Sequence, residues 1–267
     1  MPVAATIDEV LAQLESIIDD CIKTNSRAGY FATLYYKVTN GVRQGIQNNV
    51  FEDGKRMENL DVLFANRYLT AYDQWKNKQQ TTGSWRVAFE TVEKRQPLVL
   101  QHLLLGMSAH INLDLGIAVV EAAKGQDLEN SSADFNSINT IISSLTYQVI
   151  GELNRVSPLL SLMGLHATNY NSILIQFSID NARDGAWCFA EELSKLDGSS
   201  YDNCISARDK NITQLAQSMV HANTLLRITL WIIHMFEWKK PAKVIKALRE
   251  YQKAYLKMAQ IKPGAGN

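Results

Sequence analysis

Apolar residues recur along this chain at intervals of three and four, and no useful stretch alternates with period two. Thr6 and Glu9 stand at capping-box spacing. Val10, Leu11, Leu14, Ile17, Ile18 and Cys21 follow at helical intervals, which predicts a first helix over 7–22. After the break TNSRAG, the positions of Tyr30, Phe31, Leu34, Tyr35, Val38 and Val42 predict a second helix, weakened at its far end by Gly41 and Gly45. Residues 51–77 set Met57, Leu60, Asp61, Phe64, Tyr68, Ala71, Tyr72 and Trp75 on one face, so an acid sits squarely among apolar neighbours. TTGS reads as a turn, Ser84 as the cap of a short helix ending near Glu93, and Pro97 as part of the first turn of the next.

That next helix, 97–121, organises the rest. Leu103, Leu104, Leu105, Met107, Ile111, Leu113, Leu115, Ile117, Val119 and Val120 leave it apolar nearly all round, the mark of a buried helix. One stripe is polar: His102, Gly106, His110 and Asp114, each four residues on from the last and stepping about 40° round the axis. Polar groups on a buried helix need partners inside the protein. The stripe is therefore either a sealed hydrogen-bond network or the floor of a site. Gly106 costs roughly 1 kcal/mol against Ala in mid-helix, and it opens room for a crossing helix or a ligand, a crossing being the simpler reading.

Beyond the loop AKGQDLENS, Ser131 with Asp134 restarts a helix to about Arg155, and Pro158 opens a short element ending near Gly164. A helix over about 170–195 aligns Ile173, Phe177, Asp180, Asp184, Trp187 and Glu191, again mixing acids with apolar residues. A long helical region, 201–238, has a break expected near His221 and Asn223. Pro241 starts a last, basic helix, and 260–267 reads as a flexible tail. The prediction is an all-α, single-domain bundle over 1–267, of about nine or ten helices around the buried 97–121 helix.

Composition narrows the function classes. Apolar residues are 46% and charged residues 20%, which suits a folded chain. Lys plus Arg and Asp plus Glu number 27 each, so overall charge gives no reason to expect nucleic acid. Three cysteines, Cys21, Cys188 and Cys204, are odd in number and widely spaced, as expected of reduced thiols in the cytoplasm. The N-terminus lacks the basic and apolar regions of a secretory signal. The apolar run at 225–236 is too short to span a bilayer of about 30 Å, so no transmembrane segment is expected. His234 lies beside Trp231, Phe236 and Trp238, a surface that reads as packed or as a contact. No phosphate loop, GxSxG or HExxH is present.

The candidate chemistry rests on ionisable groups placed on apolar faces. His110 and Asp114, four apart, can aim at one divalent metal ion, with Asp61 or Asp180 as further donors. Without a metal, His102 or His110 would serve as acid or base, with Asp114 or Asp61 orienting it. Arg67 would hold an anionic or carbonyl group of a small organic substrate. Tyr68, Tyr72, Asn66, Asn112, Asp180 and Arg183 would bind the rest, with Phe177 and Trp187 on the wall. Lyase, isomerase, cyclase or hydrolase chemistry fits such a set. The competing reading is a binding or scaffolding module in which the polar stripe only fixes helix register. The number of such groups, on three separate helices, favours an enzyme, because a purely structural network of that size carries a large desolvation cost. A homo-oligomer is compatible with either reading.

The stretches GYFATLYYKVT (29–39), FEDGKRMENLDVLFANRYLTAYDQW (51–75) and LQHLLLGMSAHINLDLGIA (100–118) resemble a family of bacterial proteins known only as a domain of unknown function. The resemblance covers most of the chain and is densest over 26–139. It implies an all-helical cytosolic protein and no particular activity. Its recurrent polar positions, carried onto this chain, are Arg27, Asp53, Arg56, Asp61, Asn66, Arg67, His102, His110, Asn112 and Asp114. The pattern Gly106, His110, Asp114 also looks like the Gly-x-x-x-His-x-x-x-Asp helix of the all-α zinc-dependent phospholipase C and nuclease group. That group uses many histidines for three zinc ions, whereas this chain has five in all, so the likeness implies one metal at most.

Overall fold

A computed structural model describes residues 1–162, 179–221 and 224–259. Among the described residues there are eleven α-helices and no strand. They are α1 (Ile7–Thr24), α2 (Gly29–Gln47), α3 (Gly54–Lys76), α4 (Gly83–Val92), α5 (Val99–Ala109), α6 (Gly116–Ala123), α7 (Ser132–Val156), α8 (Ile179–Leu193), α9 (Gly198–Val220), α10 (Thr224–Phe236) and α11 (Pro241–Ala259). α5 and α6 are joined without a break by a π-helical segment, His110–Leu115, and form one rod, which makes ten rods among the described residues. The break foreseen near His221 and Asn223 falls between α9 and α10, and Pro241 opens α11. The tail at 260–267, His166 and Phe177 lie outside the described residues.

The central rod packs against α2, α3, α4, α8 and α9. Val99–Ala123 is long and apolar enough to cross a membrane, and 78% of its most apolar stretch is buried inside the protein, as in a core helix. Its N-terminus is held from a distance. The Val99 N–H donates to Glu237, whose carboxylate also accepts the Ser157 hydroxyl, while the Leu98 N–H donates to its own Gln101 side chain. These bonds satisfy donors that a helix start leaves open.

Two other helix starts are capped by residues remote in sequence. Ser84 is not the cap of α4; it is fully buried in the first turn, and the Gly83 and Ser84 N–H groups donate to the Asp209 carboxylate of α9 at 2.6 and 2.9 Å. Asp134 serves α3 instead of its own helix: it accepts the Glu52 N–H at 2.7 Å and the Arg56 guanidinium at 2.5 Å, while Asp53 caps the Lys55 and Arg56 N–H groups. Lys37 of α2 and Glu152 of α7 form an ion pair at 2.5 Å with side chains only 2% and 3% exposed. Burial lowers the Lys37 ammonium and raises the Glu152 carboxyl, and each partner opposes the shift of the other. On α10, Ile228, Trp231, Met235 and Phe236 are exposed, so that aromatic face is surface and not core.

Candidate functional site

The π segment carries the site. Its i→i+5 bonding widens the turn, which brings residues four apart nearer to eclipse than the ~40° offset of an α-helix. His110 and Asp114 are such a pair, and His110 Nδ1 lies 3.1 Å from Asp114 Oδ2. Trp85 Nε1–H of α4 donates to the same oxygen at 2.8 Å, and Arg67 Nε–H of α3 donates to Asp114 Oδ1 at 3.2 Å. Both carboxylate oxygens are thus occupied. Since a carboxylate only accepts, the shared proton sits on Nδ1, leaving the Nε2 lone pair free.

The surroundings fix the imidazole in place. Phe64 stacks on it with ring centres 3.6 Å apart and planes 6° from parallel, and Tyr35 meets it edge-on at 4.5 Å. Burial lowers the His110 basicity, the Asp114 carboxylate pulls it back up, and the Arg67 charge lowers it again. His110 Nε2 is buried and has no hydrogen-bond partner among the described residues.

Beyond this ring lies a cavity of about 270 Å³. Its wall is almost wholly apolar, with Leu34, Val38, Met57, Leu60, Leu104, Met107, Ile138, Ile142 and Leu153 among the lining residues. Among the described lining residues, four carry ionisable or hydroxyl groups: Asp61, His110, Tyr35 and Arg183. Asp61 Oδ2 is buried without a partner, and burial, helped by the nearby Glu58 charge, pushes its carboxyl up to about 8. At pH 7 it is therefore a neutral acid. Arg183 donates to the Phe135 carbonyl and lies 4.2 Å over the Phe135 ring.

The structure does not bring together all the residues that the pattern of faces suggested. Arg67, Asn66, Tyr68, Tyr72 and Asn112 do not line the cavity. Six residues beyond Asp61, Arg67 is turned about 240° round α3, toward Asp114 and Glu121. Asn66 exchanges both hydrogen bonds with the Ala4 backbone, and Asn112 donates to Ser108. Tyr68 and Tyr72 share the Asp61 face but lie about two and three turns along the axis, where Tyr68 packs on Phe31 and Trp85 and Tyr72 meets Cys21 at 3.9 Å. Trp187 stacks near Phe135 and bonds Glu191, and the Asp180 side chain lies outside the described residues.

His102 is separated from His110 as well. The Phe31 ring sits over Gly106, where an added methyl would lie 2.6 Å from its carbons, so a side chain of α2 occupies the gap between the two histidines. His102 packs against Tyr30 and is held down to about 3 by burial and the Arg27 charge, against which the Pro97 backbone beside it works. At the other end of the π segment, Gly116 lets α8 approach: a methyl there would lie 2.9 Å from the Ala186 carbonyl oxygen and 2.5 Å from Phe189. The Asn112 carbonyl inside the π turn accepts from Arg208 Nε–H at 3.0 Å.

A divalent metal does not fit these donors. His110 Nδ1 and Asp114 Oδ2 bond each other, the second Asp114 oxygen holds Arg67, and no group of three or more His, Cys, Asp or Glu side chains converges among the described residues. Pattern reading missed Trp85, Phe64, Tyr35 and Phe31 as parts of the site. Phe64 and Tyr35 fall on predicted apolar faces and could have been suspected, whereas nothing in the short Trp85 helix points to Asp114.

A model of a family of unknown function, DUF5995, matches residues 7–222. The chain belongs to that family. No curated protein and no solved structure matches it. The matched span contains the whole dyad, its supports and every described residue of the cavity wall. Of the polar positions carried over from the resemblance, Asp53, Arg56 and Asn66 hold the start of α3 and the N-terminal strand of chain beside it, Arg27 donates to the Val92 carbonyl, and Asp61, Arg67, His110 and Asp114 build the site.

Proposed function

We propose that the protein is an enzyme that moves a proton on a small, largely apolar molecule held in the cavity beside His110. The observation that supports this reading is a pair of buried atoms on one apolar wall, His110 Nε2 and Asp61 Oδ2, that have no partner among the described residues. One accepts a proton at neutral pH, and the other belongs to a carboxyl that still holds one. A sealed structural network would pair such atoms. Groups with opposed proton demands facing one enclosure are what general acid–base chemistry uses.

In this reading His110 Nε2 takes a proton from the substrate, and the imidazolium that forms is stabilised by Asp114. Trp85 and Arg67 hold the Asp114 carboxylate in the plane of the ring, and the Phe64 stack prevents the ring from turning. Asp61 delivers its proton to the atom that gains electron density. After one pass His110 carries a proton and Asp61 lacks one, so the return transfer through product or water resets the pair. Lyase, isomerase and cyclase steps all meet this requirement. No step needs a metal, and none is routed through one.

The test begins with a thermal-shift screen of neutral apolar metabolites, followed by incubation of each bound compound in D2O. The wild-type protein is expected to add one deuterium at a carbon position, seen as a one-unit mass increase. His110→Phe, folded by circular dichroism, is expected to lose the exchange by about 10²–10⁴-fold, the usual contribution of one acid–base group. Bound compounds that never exchange or convert would remove the reading.

A further inference from the structure

The cavity wall also specifies what kind of molecule it accepts. We infer that it takes a neutral alcohol with a hydrocarbon body of on the order of ten to fifteen carbons, on the scale by which a 150 Å³ cavity holds benzene. This inference rests on the reading of the cavity as the binding site, and it names the class of molecule held there before any proton moves.

Two buried polar atoms without a partner among the described residues belong to lining residues, His110 Nε2 and Asp61 Oδ2, and the Tyr35 hydroxyl, which sits beside the Thr39 hydroxyl, is the third polar atom on that wall. They are neighbours. The Tyr35 ring is 4.5 Å from the imidazole, and its hydroxyl lies within electrostatic reach of both Asp61 and Asp114. The three differ in what they require. With Nδ1–H committed to Asp114, Nε2 needs a donor, while the Tyr35 phenol and the neutral Asp61 carboxyl each offer an O–H.

Candidate ligand chemistries can be sorted by those needs. A plain hydrocarbon satisfies the apolar wall and leaves His110 Nε2 and Asp61 Oδ2 unpaired. A ketone or ether accepts from Tyr35 or Asp61 but gives Nε2 nothing. A carboxylate gives Nε2 no proton and brings a charge into an apolar enclosure next to Asp61. The cation on that wall, Arg183, is already engaged with the Phe135 carbonyl and ring. An ammonium would bury a charge beside an imidazole that Arg67 and burial keep neutral. A hydroxyl meets the set: its hydrogen goes to Nε2, and its oxygen accepts from Tyr35 or Asp61. The remaining wall, from Leu34 on α2 through Leu104 on α5 to Ile142 and Leu153 on α7, offers only apolar contact to the rest of the molecule.

The experiment uses the full-length protein and three matched probes, 1-dodecanol, dodecane and dodecanoate, with binding read by calorimetry below their aggregation limits. The expected result is dodecanol binding at least tenfold more tightly than either of the others. Tyr35→Phe, which removes one hydroxyl and keeps the ring, is expected to narrow the preference over dodecane several-fold. Leu104→Trp, which fills the cavity, is expected to abolish binding of all three while raising or preserving the melting temperature. Dodecane or dodecanoate binding as tightly as dodecanol would overturn the alcohol assignment and leave proton transfer on another substrate standing. Binding that survives Leu104→Trp unchanged would place the ligands elsewhere and overturn the assignment too. No binding by any probe would remove the alcohol class, and a Leu104→Trp protein that is strongly destabilised would show that the cavity is not open space, which removes the proposed function with it.

Discussion

Two buried histidines on one helix, His102 and His110, have been given opposite environments. His102 lies in regular α-helix, packs against Tyr30 and has no ionised partner, only the Pro97 backbone beside it. His110 opens a π segment, shares a proton with Asp114, stacks on Phe64 and faces a cavity. Burial alone accounts for most of what happens to the first, which is simply held neutral. The second needs Asp114, Trp85 and Arg67 to be described at all. Burial makes a histidine inert, and only an oriented partner on one nitrogen makes the other nitrogen useful.

The largest expected effect comes from removing the partner. Asp114→Ala takes away an acceptor shared by Trp85, His110 and Arg67 and strands their N–H groups, so urea denaturation should show a loss of about 3–5 kcal/mol. Asp114→Asn should cost less stability but still free the imidazole, with its titration in NMR moving downward because the Asp114 contribution is what raises it.

Asp61 supplies the next test through pH. Its carboxyl is raised from an ordinary value near 4 to about 8, so between those values the folded state holds a proton that the unfolded state has lost. Its contribution is fully present below pH ~4 and declines as pH rises toward 8. The two lowered histidines work in the other direction, gaining stability with rising pH up to about 6.5 and nothing beyond it. Between about pH 6.5 and 8 the wild-type should therefore lose on the order of 2 kcal/mol that Asp61→Asn does not lose. Parallel curves for the two proteins would mean that Asp61 is already ionised in the folded state.

The smallest effect separates the histidines themselves. His102→Phe removes two buried nitrogens, at most one of them held by the Pro97 backbone, and should be within about 1 kcal/mol of neutral, whereas His110→Phe deprives Asp114 of a donor and should cost about 1–3 kcal/mol. Thermal melts of the two variants with equal losses would dissolve the distinction between them.

This difference also marks where pattern reading stops. Helical periodicity carried the all-α class, the buried central rod and the breaks near 221 and at Pro241, because a 3.6-residue repeat is written locally. His110, Asp114 and Asp61 were legible for the same reason, as polar residues on apolar faces. The π segment was not, since no local spacing separates a widened turn from an ordinary one, and the close approach of Phe31 to Gly106 and of Phe189 to Gly116 on either side of it comes from other helices. Assigning Arg67, Tyr68 and Tyr72 to one pocket treated a shared or nearby helix face as a shared place. Rotation sent Arg67 behind the dyad, Tyr68 packs against the His110 ring without lining the cavity, and axial distance sent Tyr72 past it. Trp85 became a partner of Asp114 only through the packing of α4 on the rod, which no spacing in the chain encodes.

Two adjacent residues of α9 give the assembly a temporal order. Arg208 grips the Asn112 carbonyl in the π turn, and Asp209 caps the helix that presents Trp85. Both supports of the dyad thus wait for a segment made nearly a hundred residues after Asp114. As the chain emerges from a ribosome, His110 and Asp114 are therefore made long before the segment that braces them.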